Sequence, residues 1–93
     1  MTPSVTMGQY LITCVTKDNS DNILEVGLNT GVHLDVQTVV YRLNNNVDDY
    51  YTTDQYNRQV RVYARQHYST GRWFITTNPD GVPPNNLDNL RRC

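Results

Sequence analysis

Arg61, Tyr63 and Arg65 alternate within Arg58–Arg65 (RQVRVYAR), so an extended strand puts all three on one face. Val60, Val62 and Ala64 then take the other face. A guanidinium offers a planar fork of donors suited to phosphates and carboxylates, and an aromatic ring offers a stacking surface. The next segment, Arg72–Thr77 (RWFITT), reads as the returning strand of a hairpin and adds Arg72 and Trp73. Tyr56, Arg58 and Tyr68 lie close by in sequence, so this hairpin gathers most of the Arg and aromatic content. Such a face could stack bases and pair phosphates, or it could grip an acidic protein surface. The competing reading is that these Arg residues form cross-strand pairs with Asp48, Asp49 or Asp54. A formal charge of −1, from 8 basic and 9 acidic residues, favours such pairing and gives no general attraction to polyanions.

Other candidate chemistry is thinner. Asp48, Asp49 and Asp54 could do acid–base work or hold magnesium, but beside Tyr, Thr and turn residues they read as a solvated edge. Asp18, Ser20 and Asn22 resemble the start of a calcium loop. Ile23 stands where glycine is needed and no closing Glu follows, so calcium is discarded. His33 and His67 have no acidic, thiol or second His partner at useful spacing, and His33 is expected to face solvent. Cys14 reads as a small buried apolar residue in mid-strand. A Cys14–Cys93 bridge would close a very long loop, which is thermodynamically attractive but not expected in a reducing compartment. The sequence has no Ser–His–Asp order with meaning, no Gly-rich phosphate loop, no HExxH and no CxxC. Catalysis and cofactors are not expected.

The elements that must position these residues follow from periodicity. Val36, Val39, Val40 and Leu43 fall at i, i+3, i+4 and i+7, the only clear helical stripe. Asp35 is placed to cap it by accepting a backbone N–H, and Asn44–Asn45–Asn46 tolerate a left-handed exit. Gln9–Thr16 and Ile23–Leu28 read as a hairpin joined by the Lys17–Asn22 turn. Asn29–Thr30–Gly31 is a tight turn, and Val32–Leu34 a short extended lead into the helix. Val47–Thr53 reads as strand or loop. The last stretch carries an Asn78–Pro79–Asp80–Gly81 turn, an extended Pro83–Pro84 path, and Leu87 and Leu90 at i, i+3. Those two Leu residues read as anchors of a latch over a sheet edge, in preference to a loop offering Asp80, Asn85 and Asn86 to a ligand.

At 93 residues this is one small α+β domain, with Met1–Gly8 frayed and residues 78–93 as the latch. Its fold is a twisted, mostly antiparallel sheet with one amphipathic helix, in the order β-β-α-β-β-β. There is no apolar run of membrane-spanning length and no leader pattern, so the expected address is the cytoplasm and no membrane partner is expected. Seven of the eight cations are Arg, and Tyr and Asn are abundant, a composition suited to a contact surface.

Several stretches occur in the order found in a family of small uncharacterised bacterial and phage proteins catalogued as a domain of unknown function. They are Tyr10–Val15 (YLITCV), Glu25–Val26–Gly27, Arg72–Thr77, and the tail with Asp80–Gly81, Asn85–Asn86–Leu87, Leu90 and Cys93. The chain resembles that family over nearly its whole length. It departs at Glu25, where members often carry His, and at Leu90–Arg91–Arg92–Cys93, where members often end Leu-Pro-x-Cys. Those departures count against a metal site built from Cys14, position 25 and Cys93. The resemblance implies a small standalone bacterial or mobile-element protein and no known activity.

The reading is therefore a small non-catalytic binding protein with Tyr56, Arg61, Tyr63, Arg65, Arg72 and Trp73 as its contact residues. Its partner is a protein or a nucleic acid. Alternatives are a phage-type inhibitor of a nucleic-acid-handling host machine, a direct nucleic-acid binder, and a homodimer paired through strand edges or a Tyr-lined face.

Overall fold

A computed structural model describes residues 8–79 and 85–93. The expected fraying of Met1–Met7, and the Asp80–Gly81 and Pro83–Pro84 parts of the final turn, lie outside these residues. Seven strands and one α-helix follow in order: β1 (Gly8–Lys17), β2 (Ile23–Leu28), β3 (His33–Asp35), α1 (Val36–Asn44), β4 (Asp48–Thr53), β5 (Gln59–Arg61), β6 (Tyr63–Gln66) and β7 (Trp73–Thr76). A 3₁₀ turn, Asn86–Asn89, comes last. The α+β class stands. The extended lead into α1 is itself a paired strand, and Gly8, read as part of the frayed lead-in, lies in register with Asp48.

β1 is the middle of a five-stranded sheet in the order β3-β2-β1-β4-β5. Its pairing with β2 is antiparallel, because a short turn joins them. In that turn Asp18 accepts from the backbone N–H groups of Ser20 and Asn22, both at 2.9 Å, and Asp21 takes a positive φ. The pairing of β1 with β4 is parallel, because α1 carries the chain across between them. The remaining pairs are antiparallel.

The helical stripe packs as its spacing predicts. Val36, Val39 and Val40 are buried, and Leu43 packs partly against the core. α1 touches β6 and β7 as well as β2, β3 and β4, so it sits where the two sheets meet. Its ends are held differently from one another. Asn46 exits with φ 56°, as the Asn run predicts. Asp35 does not accept a backbone N–H of the first turn; its carboxylate takes the Thr38 hydroxyl instead. The competing local partner wins because Thr38 stands three residues on, over the same turn.

The Arg58–Arg65 stretch is not one strand. Val62 is fully buried and still donates its N–H to Tyr50 O at 2.8 Å. After it the chain leaves the five-stranded sheet, and β6 pairs with β7 as a separate two-stranded sheet. Ala64 and Ile75 face each other across that pair and are both buried.

The last segment lies against β1. β4 covers only Gly8–Leu11 of that strand's edge. Further along, Val15 donates to Arg91 O at 3.1 Å and accepts from the Cys93 N–H at 3.0 Å. Leu87 is fully buried in the core and Leu90 packs beside it. Asn85 secures the approach: its side-chain oxygen accepts from Leu87 and Thr77 N–H groups, and its amide donates to Ile75 O.

This docking overturns the expectation for the cysteines. Cys14 and Cys93 form a disulfide across 79 residues of chain, with Cα atoms 5.0 Å apart. Sequence separation hid the pair, because only the docking of residues 91–93 on Val15 brings them together. Cys14 is buried, as expected, but as half of a bridge. Gly27 of β2 makes room for it: a Cβ there would overlap Cys14 Sγ and stand 3.0 Å from Cys93 Sγ. In a chain-entropy description, closing a loop of this length removes about 4–5 kcal/mol of denatured-state freedom. Gly27→Ala should therefore lower the oxidised domain's stability by about 1–3 kcal/mol and raise its content of free thiol. Chemical denaturation and thiol titration check this. An unchanged midpoint with no free thiol would mean that the sulfurs move aside without cost.

Candidate functional site

The β4–β5 hairpin and the strand that continues from it set out the Arg and Tyr residues. Arg61 lies across from Tyr51, which makes Asp49 its diagonal neighbour, and Arg61 donates to Asp49 at 2.8 Å. Arg58 donates to Asp54 at 2.9 Å, and Arg42 to Asp48 at 2.9 Å. The three carboxylates thus each hold one Arg, the pairing that near-zero net charge favours. They are not simply a solvated edge. Asp48 is only 5% exposed, since Tyr50 Oη also donates to it at 3.0 Å and supplies the partner that burial demands. Asp54 accepts from the N–H groups of Tyr56 and Arg58, both at 2.9 Å. That of Arg58 is foremost in holding its carboxyl below the usual range.

Of the six residues singled out from the sequence, three stand together. Arg61 and Arg65 place their guanidinium carbons 6.0 and 5.1 Å from the centre of the Tyr63 ring. One aromatic face-and-edge surface is thus flanked by two cations on alternate positions. Arg65 is fixed further by donating to Pro79 O at 2.6 Å and Ala64 O at 2.7 Å. Tyr56, in the β4–β5 turn, carries the Arg58 guanidinium 5.0 Å from its ring centre and is itself exposed. Arg58 and half of Arg61 remain in contact with solvent despite their ion pairs.

Trp73 stands apart from the Arg61–Tyr63–Arg65 stripe. In the β6–β7 register Arg65 faces Phe74, whereas Trp73 faces Gln66. Directly opposed residues share a face and neighbours along a strand do not, so Trp73 points away from Arg65. Trp73 and Arg72 instead line a groove of about 830 Å³ with Ile23, Glu25, Asp35 and Asp88. Sequence alternation within Arg72–Thr77 assigns Trp73 and Phe74 to opposite faces. Only the cross-strand register says which of them joins Arg65.

Lys17 also escaped notice as an organiser. It reaches Asp21 at 3.3 Å and Asp88 at 3.1 Å with its side chain only 4% exposed, so it joins β1, the first turn and the 3₁₀ turn. On β2 and β3, Glu25 and His33 stand 3.9 Å apart and half exposed. Among the described residues no group of three or more His, Cys, Asp or Glu is arranged to hold a metal ion. Nor, among those residues, is any helix long and apolar enough to cross a membrane.

Comparison with known proteins places this architecture. The family described as Protein of unknown function (DUF3892) matches residues 11–91. The chain belongs to this family. The match takes in β1 from Leu11, every later strand and α1, the Arg–Tyr stripe, and Cys14, and it ends two residues before Cys93. No curated protein and no solved structure matches the chain. Membership in DUF3892 therefore leaves activity to be argued from the side chains.

The buried Tyr50–Asp48–Arg42 group yields a test in alkali. Burial first, and the bond to Asp48 second, push the Tyr50 hydroxyl up from 10.0 to about 12. The folded state thus holds this proton more tightly than the unfolded one. Its contribution to stability is complete below pH 10 and is lost as pH rises through about 12. Unfolding midpoints followed across that window should fall, and Tyr50→Phe should flatten the fall while costing about 1 kcal/mol at neutral pH. An equally steep fall in Tyr50→Phe would assign the alkaline limb to other tyrosines.

Proposed function

We propose that this DUF3892 protein is a small, non-catalytic binding module of bacterial or phage origin that engages a partner protein through its Arg–Tyr stripe. The observation that carries the reading is the Tyr63 ring flanked by Arg61 and Arg65 on a partly exposed face. Arg and Tyr are the residue types that anchor protein interfaces, because each combines a large flat contact area with directional donors. Fixing Arg65 on two backbone carbonyls and Arg61 on Asp49 before any encounter lowers the entropy lost on binding.

The same ion pairs favour a protein over a nucleic acid. Affinity for a phosphate backbone comes from uncompensated cations that displace counterions. Here Arg42, Arg58 and Arg61 each already hold a carboxylate. A protein surface can use the flat faces of these groups without breaking the pairs. An inhibitor of a nucleic-acid-handling host machine fits this reading as one kind of such partner.

The double substitution Arg61→Ala/Arg65→Ala should weaken capture of the partner at least tenfold, corresponding to about 1.4 kcal/mol or more. Circular dichroism should show the fold intact. Titration with single-stranded and duplex DNA at two salt concentrations should show no tight, steeply salt-dependent binding. Strong binding that collapses with salt would replace the protein partner with a phosphate ligand. Capture undiminished by the double substitution would move the contact face elsewhere on the domain.

A further inference from the structure

Cys14 and Cys93 differ in how they meet solvent. Cys14 is 5% exposed, in the middle of the central strand. Cys93 is exposed, on a segment that pairs with the edge of β1 at Val15. The two sulfurs and the His33 imidazole edge converge on the space above Gly27, where a Cβ would stand 3.0 Å from Cys93 Sγ and 3.5 Å from His33 Cε1. The more accessible sulfur of a bridge is the one an external thiolate reaches first.

From this we infer that the Cys14–Cys93 bridge is a thiol–disulfide exchange site: external thiols of the glutathione class enter it at Cys93, and its reduction releases residues 91–93 from the edge of β1. In the first step a thiolate RS⁻ bonds to Cys93 Sγ. The Cys14–Cys93 bond breaks, and its electron pair leaves on Cys14 Sγ, which takes a proton from solvent. A second thiolate then bonds to the RS sulfur of the mixed disulfide and releases the Cys93 thiolate. Two thiols become one external disulfide, and the protein gains two electrons and, on protonation, two protons.

The consequence for the fold is local. Without the bridge, residues 91–93 keep two backbone bonds to Val15 and the exposed Arg92–Asp21 pair at 3.5 Å. Contacts of that kind open readily. Residues 85–90 are held separately, by buried Leu87 and by the bonds of Asn85 and Asn86 to Ile75 and Thr77. Neither sulfur belongs to the hydrophobic cluster formed by the sheet, α1 and Leu87. Release therefore uncovers the Val15 edge, one N–H and one C=O that another strand can use.

The test uses the oxidised full chain with a limiting amount of reduced glutathione, stopped with acid and read by peptide mass spectrometry. The adduct is expected on Cys93 in at least tenfold excess over Cys14. Hydrogen exchange of the fully reduced chain should then show the Val15 amide exchanging at least tenfold faster than in the oxidised chain. The amides of α1, β4 and β7 should keep their protection. An adduct on Cys14, or equal labelling of both, overturns the entry point. A Val15 amide as protected after reduction as before, or loss of protection throughout the core, overturns the local release.

Discussion

Everything in this domain depends on satisfying both edges of one strand. β1 runs through the middle of the larger sheet, and each of its buried N–H and C=O groups needs a partner. β2 supplies one side along most of its length. β4 supplies the other only as far as Leu11, and Thr52 Oγ1 extends the cover by one bond to Ile12 O at 3.0 Å. The chain meets the remaining need by returning residues 91–93 to Val15. The buried Leu87, the Asn85 bonds and the Lys17 ion pairs all hold that return in place. The disulfide is a product of the same requirement, since whatever pairs with Val15 from that side arrives beside Cys14.

Local pattern showed in the sequence where one element's own period settles the matter. The Val36, Val39, Val40 stripe, the β1–β2 hairpin and the Asn run after α1 all emerge where expected. Features that need a third element were hidden. Arg58–Arg65 alternates without a glycine or proline, so nothing in it marks the departure after Val62. That departure comes from a choice of partner: β4 still runs on to Asp49 and Asp48 beyond Tyr50, yet β6 pairs with β7. Likewise Asp48 reads as one of three surface carboxylates until Arg42, from a different element, and Tyr50 enclose it. Half of the candidate contact surface was legible for the same reason. Arg61, Tyr63 and Arg65 share a face by alternation alone, whereas Trp73 needed the β6–β7 register to be assigned to the groove.

Charge in this molecule is arranged in local pairs. A net charge of −1 could arise from separated acidic and basic faces, and such faces would steer partners over long distances. The pairs include Arg42–Asp48, Arg58–Asp54, Arg61–Asp49, Arg92–Asp21 and Lys17 between Asp21 and Asp88. Fields from such pairs cancel within a short distance. On the proposed reading, recognition by this surface rests on shape and close contact, which suits the preset geometry of Arg65 and Tyr63.

The bridge across 79 residues has a topological side as well. It turns α1 and six of the seven strands into one covalent ring, with the first half of β1 as the stem that leads into it. A single backbone cut anywhere inside a ring leaves the two new ends attached to the same molecule. The exposed turns at Asp54–Arg58 and His67–Gly71 could therefore each be nicked once without the pieces drifting apart. While the ring is closed, a protease whose first cut falls inside it gains a new pair of ends and no fragment.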